Sequence, residues 1–223
     1  MSFEYQKARE LMVENQLKPN KIKNNLILDV FKKIPKENFL PDNIKEIPYS
    51  DLDIKLLANR GYLKNLQIAQ LINHSDIGKN DKILHIGALT GYVTTLLANF
   101  CNEVVAIEID KEMNIILKNN IEKMNLSNIK IVNGSFTEGF KLESPFDIIF
   151  IDTPIFDVHD EIINQLNENL GRIIMIKKEK GNLSKATKIT KNKESFSYEY
   201  LFDVFSNYEL FKKEGEFIFW RLF

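Results

Sequence analysis

Apolar residues recur at helical spacing through the first third of the chain. Over residues 5–17, Ala8, Leu11, Met12 and Leu17 fall on or near one face, which predicts an amphipathic helix. Lys18-Pro19-Asn20 ends it. Leu26, Ile27, Val30, Phe31 and Ile34 predict a second helix over 22–34. Pro35 and Pro41 bracket a short segment, 36–40, and residues 41–65 have no clear period and read as a long loop. From residue 66 the pattern alternates. Helix 66–73 is followed by strand 82–86, helix 91–100, strand 103–107, helix 111–124 and strand 129–132. Strand 147–151, helix 159–167 and strand 172–176 continue the series. Alternating strands and helices imply a parallel sheet covered on both faces, with ligands bound beyond the carboxyl ends of the strands. Segments 186–190, 198–205 and 216–221 read as strands with no long helices between them, so the sheet is expected to end in an antiparallel edge.

Gly87, Glu108, Ser135 and Asp152 lie at or just past strand ends. The stretch Lys82-Ile83-Leu84-His85-Ile86-Gly87-Ala88-Leu89-Thr90-Gly91-Tyr92 is an apolar strand ending in a glycine turn that opens a helix. A second apolar strand, 104–107, then delivers Glu108. The interval from Gly87 to Glu108 is about the 20 residues expected between such a turn and an acid that accepts ribose hydroxyls. Strand, turn, helix, strand, acid is the order of a nucleoside site in an α/β fold. Any βαβ unit needs a turn, so the same stretch also reads as simple chain reversal. Leu89 stands where a glycine would admit a pyrophosphate, which favours a nucleoside without one.

With 223 residues and 44% apolar content the chain suits a single α/β domain, divided into N-terminal helices and loop (1–65), α/β core (66–177) and C-terminal strands (178–223). A net charge of −1 gives no electrostatic case for nucleic acid as the main partner. Cys101 is the only cysteine, so no intrachain disulfide forms, which suits a reducing cytoplasm. It follows a predicted helix and reads as a packed residue and not a nucleophile. The charged N-terminus has no signal core, and no window approaches 18 uninterrupted apolar residues, so no membrane span is expected. His74, His85 and His159 make no ligand-spaced motif with other histidines, cysteines or acids, and no metal is expected.

The chain resembles the protein-L-isoaspartate O-methyltransferase family from about Ala8 to Lys177. Ala8-Arg9-Glu10-Leu11-Met12-Val13-Glu14-Asn15-Gln16-Leu17 resembles its opening helix. Ile34-Pro35-Lys36-Glu37-Asn38-Phe39-Leu40-Pro41 is similar to its "VPRE.FVP" segment, and Pro48-Tyr49-Ser50-Asp51 to its "AYxD". The turn from Gly87 to Tyr92 resembles "GTGSGY", Asn133-Gly134-Ser135-Phe136 stands at "GDG", Ser144-Pro145-Phe146-Asp147 at "APFD", and Gln165-Leu166 and Gly171-Arg172 at "QL..GGRL". The resemblance implies a Rossmann-like class I methyltransferase fold, α/β with a mostly parallel sheet, an N-terminal helical extension and an antiparallel C-terminal edge. It implies S-adenosyl-L-methionine as cofactor, held by His85, Gly87, Ala88, Gly91, Glu108, Ile109, Ser135 and Phe136. It implies a protein or peptide substrate carrying isoaspartyl residues.

Several positions depart from the family pattern. His85 replaces the acid of "LEIG", Leu89 the middle glycine, and Ser135 the Asp of "GDG". The family's "TISQP" loop, whose Ser helps catalysis, aligns with Gly61, Leu63 and Asn65, so Leu63 stands at the hydroxyl. Leu89 at a positive-φ position is expected to carry strain and to point into cofactor space. Tyr62, Lys64 and Asn65, by position, and Asp152, at a strand end, are the substrate-side candidates. A carboxylate substrate is ionised at neutral pH and needs no base, so positioning supplies most of the catalysis. Two alternatives remain: a non-catalytic binding protein on the same fold, and a methyltransferase with a changed substrate.

Overall fold

The computed structural model describes residues 4–179, 183–193 and 195–210; the strand expected over 216–221 lies outside them. Among the described residues seven strands form one sheet: β3 (Lys82–Ile86), β4 (Glu103–Ile107), β5 (Ile129–Val132), β6 (Ile148–Ile155), β7 (Asn169–Lys178), β8 (Leu183–Asn192) and β9 (Ser195–Phe205). Their order is β5-β4-β3-β6-β7-β8-β9. The first five run parallel, and β8 and β9 add an antiparallel edge. The sheet grows in opposite directions from β3 and β6, which puts the switch point at the carboxyl ends of those two strands, beside Gly87 and Asp152.

The strands are apolar at nearly every position because both faces are covered. Ile83, Val104, Phe150 and Ile174 face one core, shared with the N-terminal helices α1 (Tyr5–Met12), α2 (Asn25–Lys33) and α3 (Asn65–His74) and with α4 (Tyr92–Ala98). Leu84, Ile86, Val105, Ile107 and Met175 face a second core, closed by Phe136, Phe146, Ile162 and Leu210. Helix α5 (Lys111–Met124) packs Leu117 and Ile121 against Ala88 and Ala106.

Three expected elements differ. The helix over 5–17 stops at Met12 and continues as one wider π turn, Val13–Leu17, with Val13 and Leu17 fully buried. The helix over 159–167 shrinks to one turn, α6 (Asp160–Ile163). Phe146 claims the Gln165 carbonyl through its backbone N–H, while the Gln165 side chain accepts from Phe140 N at 2.8 Å and donates to Glu138 O and Glu161 O. Those bonds draw the chain out of helical geometry. The loop over 41–65 contains a 3₁₀ turn, Asp42–Ile44, and a hairpin of β1 (Ile54–Lys55) and β2 (Gly61–Tyr62). Two residues per strand are too few to show a period.

A polar seam ties the N-terminal region to the sheet. Arg9 pairs with Glu37 at 3.2 Å, and the Tyr49 hydroxyl donates to the same carboxylate while accepting from Lys36 N at 3.1 Å. Lys36 is fully buried; its Nζ donates to Asn65 Oδ1 at 2.9 Å and sits against the rings of Tyr62 and Tyr92. Burial pushes its ammonium down to about 7, partly offset by Asp53. Below that pH both folded and unfolded chains hold the proton. Above it the unfolded chain binds the extra one, so folding stability should rise with pH from about 7 towards 9, above which the raised Cys101 thiol opposes it. The slope should approach about 1.4 kcal/mol per unit. Denaturant unfolding across that range should show the rise, and Lys36→Met should flatten it. An equal slope in the variant would assign the effect elsewhere.

Candidate functional site

The carboxyl ends of β3 and β4 converge on one turn. Gly87 N and Ala88 N both donate to Ile107 O at 3.0 Å, which docks the turn on β4. Gly87 and Gly91 have φ of +88° and +98°, in the left-handed region that favours glycine. Leu89 adopts φ +51°, the positive value expected for it. Its side chain does not enter the space above Gly87. It is buried in the large core that the N-terminal helices and α4 share.

Glu108, one residue past β4, is the chemical centre. Its side chain is 0% exposed. Leu89 N donates to Oε2 at 2.8 Å and Asp110 N to Oε1 at 2.9 Å. Arg60, from the β1–β2 hairpin, supplies the remaining donors: Nη1 to Oε1 at 2.9 Å and Nη2 to Oε2 at 2.6 Å. The Arg60 side chain is 5% exposed, and its guanidinium lies 4.9 Å from the Phe136 ring centroid. A Cβ at Gly87 would stand 3.5 Å from Arg60 Nη2 and 2.8 Å from Leu210 Cδ1. Gly87, Glu108 and Phe136 therefore surround one small volume, and Arg60 and Leu210 fill it.

The other expected binding residues are placed around this volume. Ala88 is buried in the turn, and Gly91 caps α4. Ile109 is 54% exposed just past Glu108. The Ser135 hydroxyl is engaged in its own turn, accepting from Thr137 N at 3.1 Å and Glu138 N at 3.3 Å. His85 is a core residue: Nδ1 meets Thr94 Oγ1 at 2.8 Å and Nε2 meets Asp152 Oδ1 at 3.2 Å.

The substrate-side candidates are not gathered together. Tyr62 is buried; its hydroxyl meets Thr90 Oγ1 at 2.7 Å and accepts from Tyr92 N at 3.0 Å. Asn65 is buried on Lys36 and Pro48 O. Leu63 is buried in the core with them. Lys64 is half-buried, with Nζ 3.9 Å from Asp51. Asp152 is spent on His85. Cys101 is half-buried and burial pushes its thiol up to about 12, so it is protonated at neutral pH. A cavity of about 610 Å³ opens beyond the 135–139 turn, lined by Asn133, Glu138, Lys141, Glu161 and Gln165, and it does not include Gly87 or Glu108.

Arg60 and Leu210 were not expected at the site. The arginine carries one signal in the sequence: it is one of four arginines in a chain with 26 lysines, set among apolar neighbours from Leu56 to Leu63. Leu210 carries none.

The sequence from residue 6 to 205 matches the family described as Protein-L-isoaspartate(D-aspartate) O-methyltransferase. The chain is 27% identical to a protein-L-isoaspartate O-methyltransferase of Methanoculleus marisnigri, covering 75% of this chain and 76% of that protein. A homologue of the same name from Dictyoglomus turgidum is 27% identical over 88% of each chain. Among solved structures, a protein-L-isoaspartate O-methyltransferase superposes with a TM-score of 0.78 at 23% identity, covering 90% of this chain and 65% of that one. A Plasmodium falciparum protein solved with S-adenosyl-L-homocysteine gives 0.73 at 18% identity, covering 88% and 95%. Both solved structures establish the likeness of fold.

Because Arg60 and Glu108 are buried on each other, removing one charge strands the other. Glu108→Gln keeps the shape and should destabilise the fold by about 3–5 kcal/mol, measured by urea unfolding. An unchanged midpoint would mean that Arg60 reaches water when released. Leu89→Gly relieves left-handed strain but empties a core position. It should cost about 1–3 kcal/mol net, and a stabilised variant would show that strain outweighs packing.

Proposed function

As the chain belongs to the protein-L-isoaspartate(D-aspartate) O-methyltransferase family, we propose that it transfers a methyl group from S-adenosyl-L-methionine to the carboxylate of isoaspartyl residues in proteins or peptides. The observation that carries this reading is Glu108, a buried carboxylate at the end of a central parallel strand, facing a turn with two left-handed glycines.

The cofactor fits this frame once Arg60 is moved aside. The two Nη groups of Arg60 donate to the two Glu108 oxygens, and two vicinal ribose hydroxyls would donate to the same pair. Glu108 would hold the ribose, Gly87 and Ala88 would present backbone to the adenosyl group, and Ile109, Ser135 and Phe136 would border the adenine. Gly91 opens α4, and His85 packs below the turn, fixed by Asp152 and Thr94. When bound, the cofactor supplies a methyl on a cationic sulfur for in-line transfer to an oxygen nucleophile. The substrate carboxylate is ionised at neutral pH, so the protein's task is orientation. Leu63 offers no donor for that orientation, and the polar atoms of Tyr62 and Asn65 are bonded within the core. The chain acts as one domain in the cytoplasm, a location that suits its single, half-buried cysteine. Among the described residues no helix is long and apolar enough to cross a membrane.

An isoaspartyl peptide and a labelled methyl donor test the reading. Base-labile ester should form above the level of the matching aspartyl peptide, at a rate below about 1 per second, the low end of common enzymes. No ester on the peptide, with the cofactor bound, would replace this substrate class by another. Neither ester nor cofactor binding would identify a non-catalytic binding protein.

A further inference from the structure

We propose that Arg60 is a built-in occupant of the nucleoside subsite, so that an adenine nucleoside binds only by displacing it; this rests on the cofactor reading above. Arg60 reproduces a nucleoside's contacts in miniature. Its two Nη groups take both oxygens of Glu108, and its flat guanidinium lies against the Phe136 ring. Its Nη2 stands over Gly87, where a Cβ would come within 3.5 Å. The fit is incomplete at one atom: Arg60 Nε is buried and has no hydrogen-bond partner among the described residues. An orphaned buried donor is costly, which lowers the cost of moving Arg60 out.

The backbone around Arg60 holds it in place. Leu56 N and Leu57 N both donate to Arg60 O, at 3.1 and 2.9 Å. Asn59 ties the hairpin to the C-terminal segment through two bonds: Glu209 N donates to Asn59 O at 2.9 Å, and Asn59 Nδ2 donates to Glu209 O at 3.3 Å. Leu210 N then donates to Pro154 O at 2.9 Å, and the Leu210 side chain closes over Gly87. Hairpin and C-terminal segment thus cover the subsite together. A buried ion pair contributes little net stability because desolvation offsets attraction, so a ligand that restores both bonds to Glu108 can exchange with Arg60.

Calorimetric titration of the full chain with S-adenosyl-L-homocysteine tests this on the parent, Arg60→Ala and Arg60→Gln; the Gln variant keeps a polar side chain beside Glu108 should Arg60→Ala fail to fold. Both variants should bind about tenfold or more tightly than the parent, since the closed form no longer competes. In the parent, the Arg60 Nε–H nuclear resonance should be protected from solvent exchange and lose that protection when ligand is added. Equal or weaker binding by the variants, or saturation of the parent with the Arg60 signal unchanged, would overturn the displacement and leave the cofactor reading standing. No binding by the parent or by either variant would overturn both.

Discussion

A fully buried carboxylate at the end of a parallel strand imposes the strictest demand in this structure. A carboxylate out of water is costly unless donors surround it, and four donors surround Glu108. Two of them are backbone N–H groups of Leu89 and Asp110. These belong to the glycine turn and to the cap of α5, so the carboxylate fixes the loops on both sides of β4 at once. The other two belong to a side chain 48 residues away. The first pair is permanent, because moving it would unravel the turn. The second pair is exchangeable, because only a side chain has to leave. The chemistry open to the site follows from that division.

The same demand is met differently one strand away. His85 sits in the middle of the sheet, where a polar ring has no access to water. It is satisfied from two elements, Asp152 on β6 and Thr94 on α4, and it packs edge-on to Phe150. Both partners sit on regular elements of the core, so this pair is a structural joint beneath the turn. Glu108 and His85 are both buried and both polar, and they lie on neighbouring strands. What separates them is where the partners come from: those of His85 lie on β6 and α4, while two of the four donors to Glu108 come from the β1–β2 hairpin.

The parts of the fold that were legible in the sequence are those set by local period. The strands 82–86, 103–107 and 129–132 and the helix 111–124 coincide with β3, β4, β5 and α5, because an apolar run or a 3.6-residue stripe is decided within the element itself. Glu108 and Gly87 were legible for the same reason, as the turn and acid lie at fixed distances along the chain. The losses came where distant residues overrule the local pattern. Gln165 has a helical neighbourhood, yet its side chain and carbonyl are claimed by residues 138–146, and the helix stops at Ile163. Tyr62 and Asn65 lie in a loop by pattern, yet Lys36, Thr90 and Pro48 draw them into the core. Leu89 was legible in its backbone and not in its direction, since φ follows from the turn while the side chain follows the packing of α4.

Arginine usage binds these observations together. The chain uses lysine wherever a solvated cation suffices, and its three described arginines all hold carboxylates: Arg9 on Glu37, Arg60 on Glu108 and Arg172 on Asp81. A planar, weakly hydrated fork satisfies a buried carboxylate with two parallel bonds, which a compact ammonium does not. Arg9 fastens the first helix to the segment after α2, and Arg172 fastens β7 to the loop before β3. Of the three, Arg60 makes the two parallel bonds, Nη1 to Oε1 and Nη2 to Oε2 of Glu108, whereas Arg9 reaches Glu37 through Nη1 alone and Arg172 reaches Asp81 through Nη2 alone. Arg60 lies against the Gly87 turn and on the Phe136 ring, and its anchor is a hairpin bonded to the segment at Glu209 and Leu210. Two arginines therefore fasten an N-terminal helix and a strand to neighbouring segments, while the third stands where a ligand's hydroxyls would stand, carried by a hairpin and a segment that also lend Ile54, Tyr62 and Leu210 to the cores.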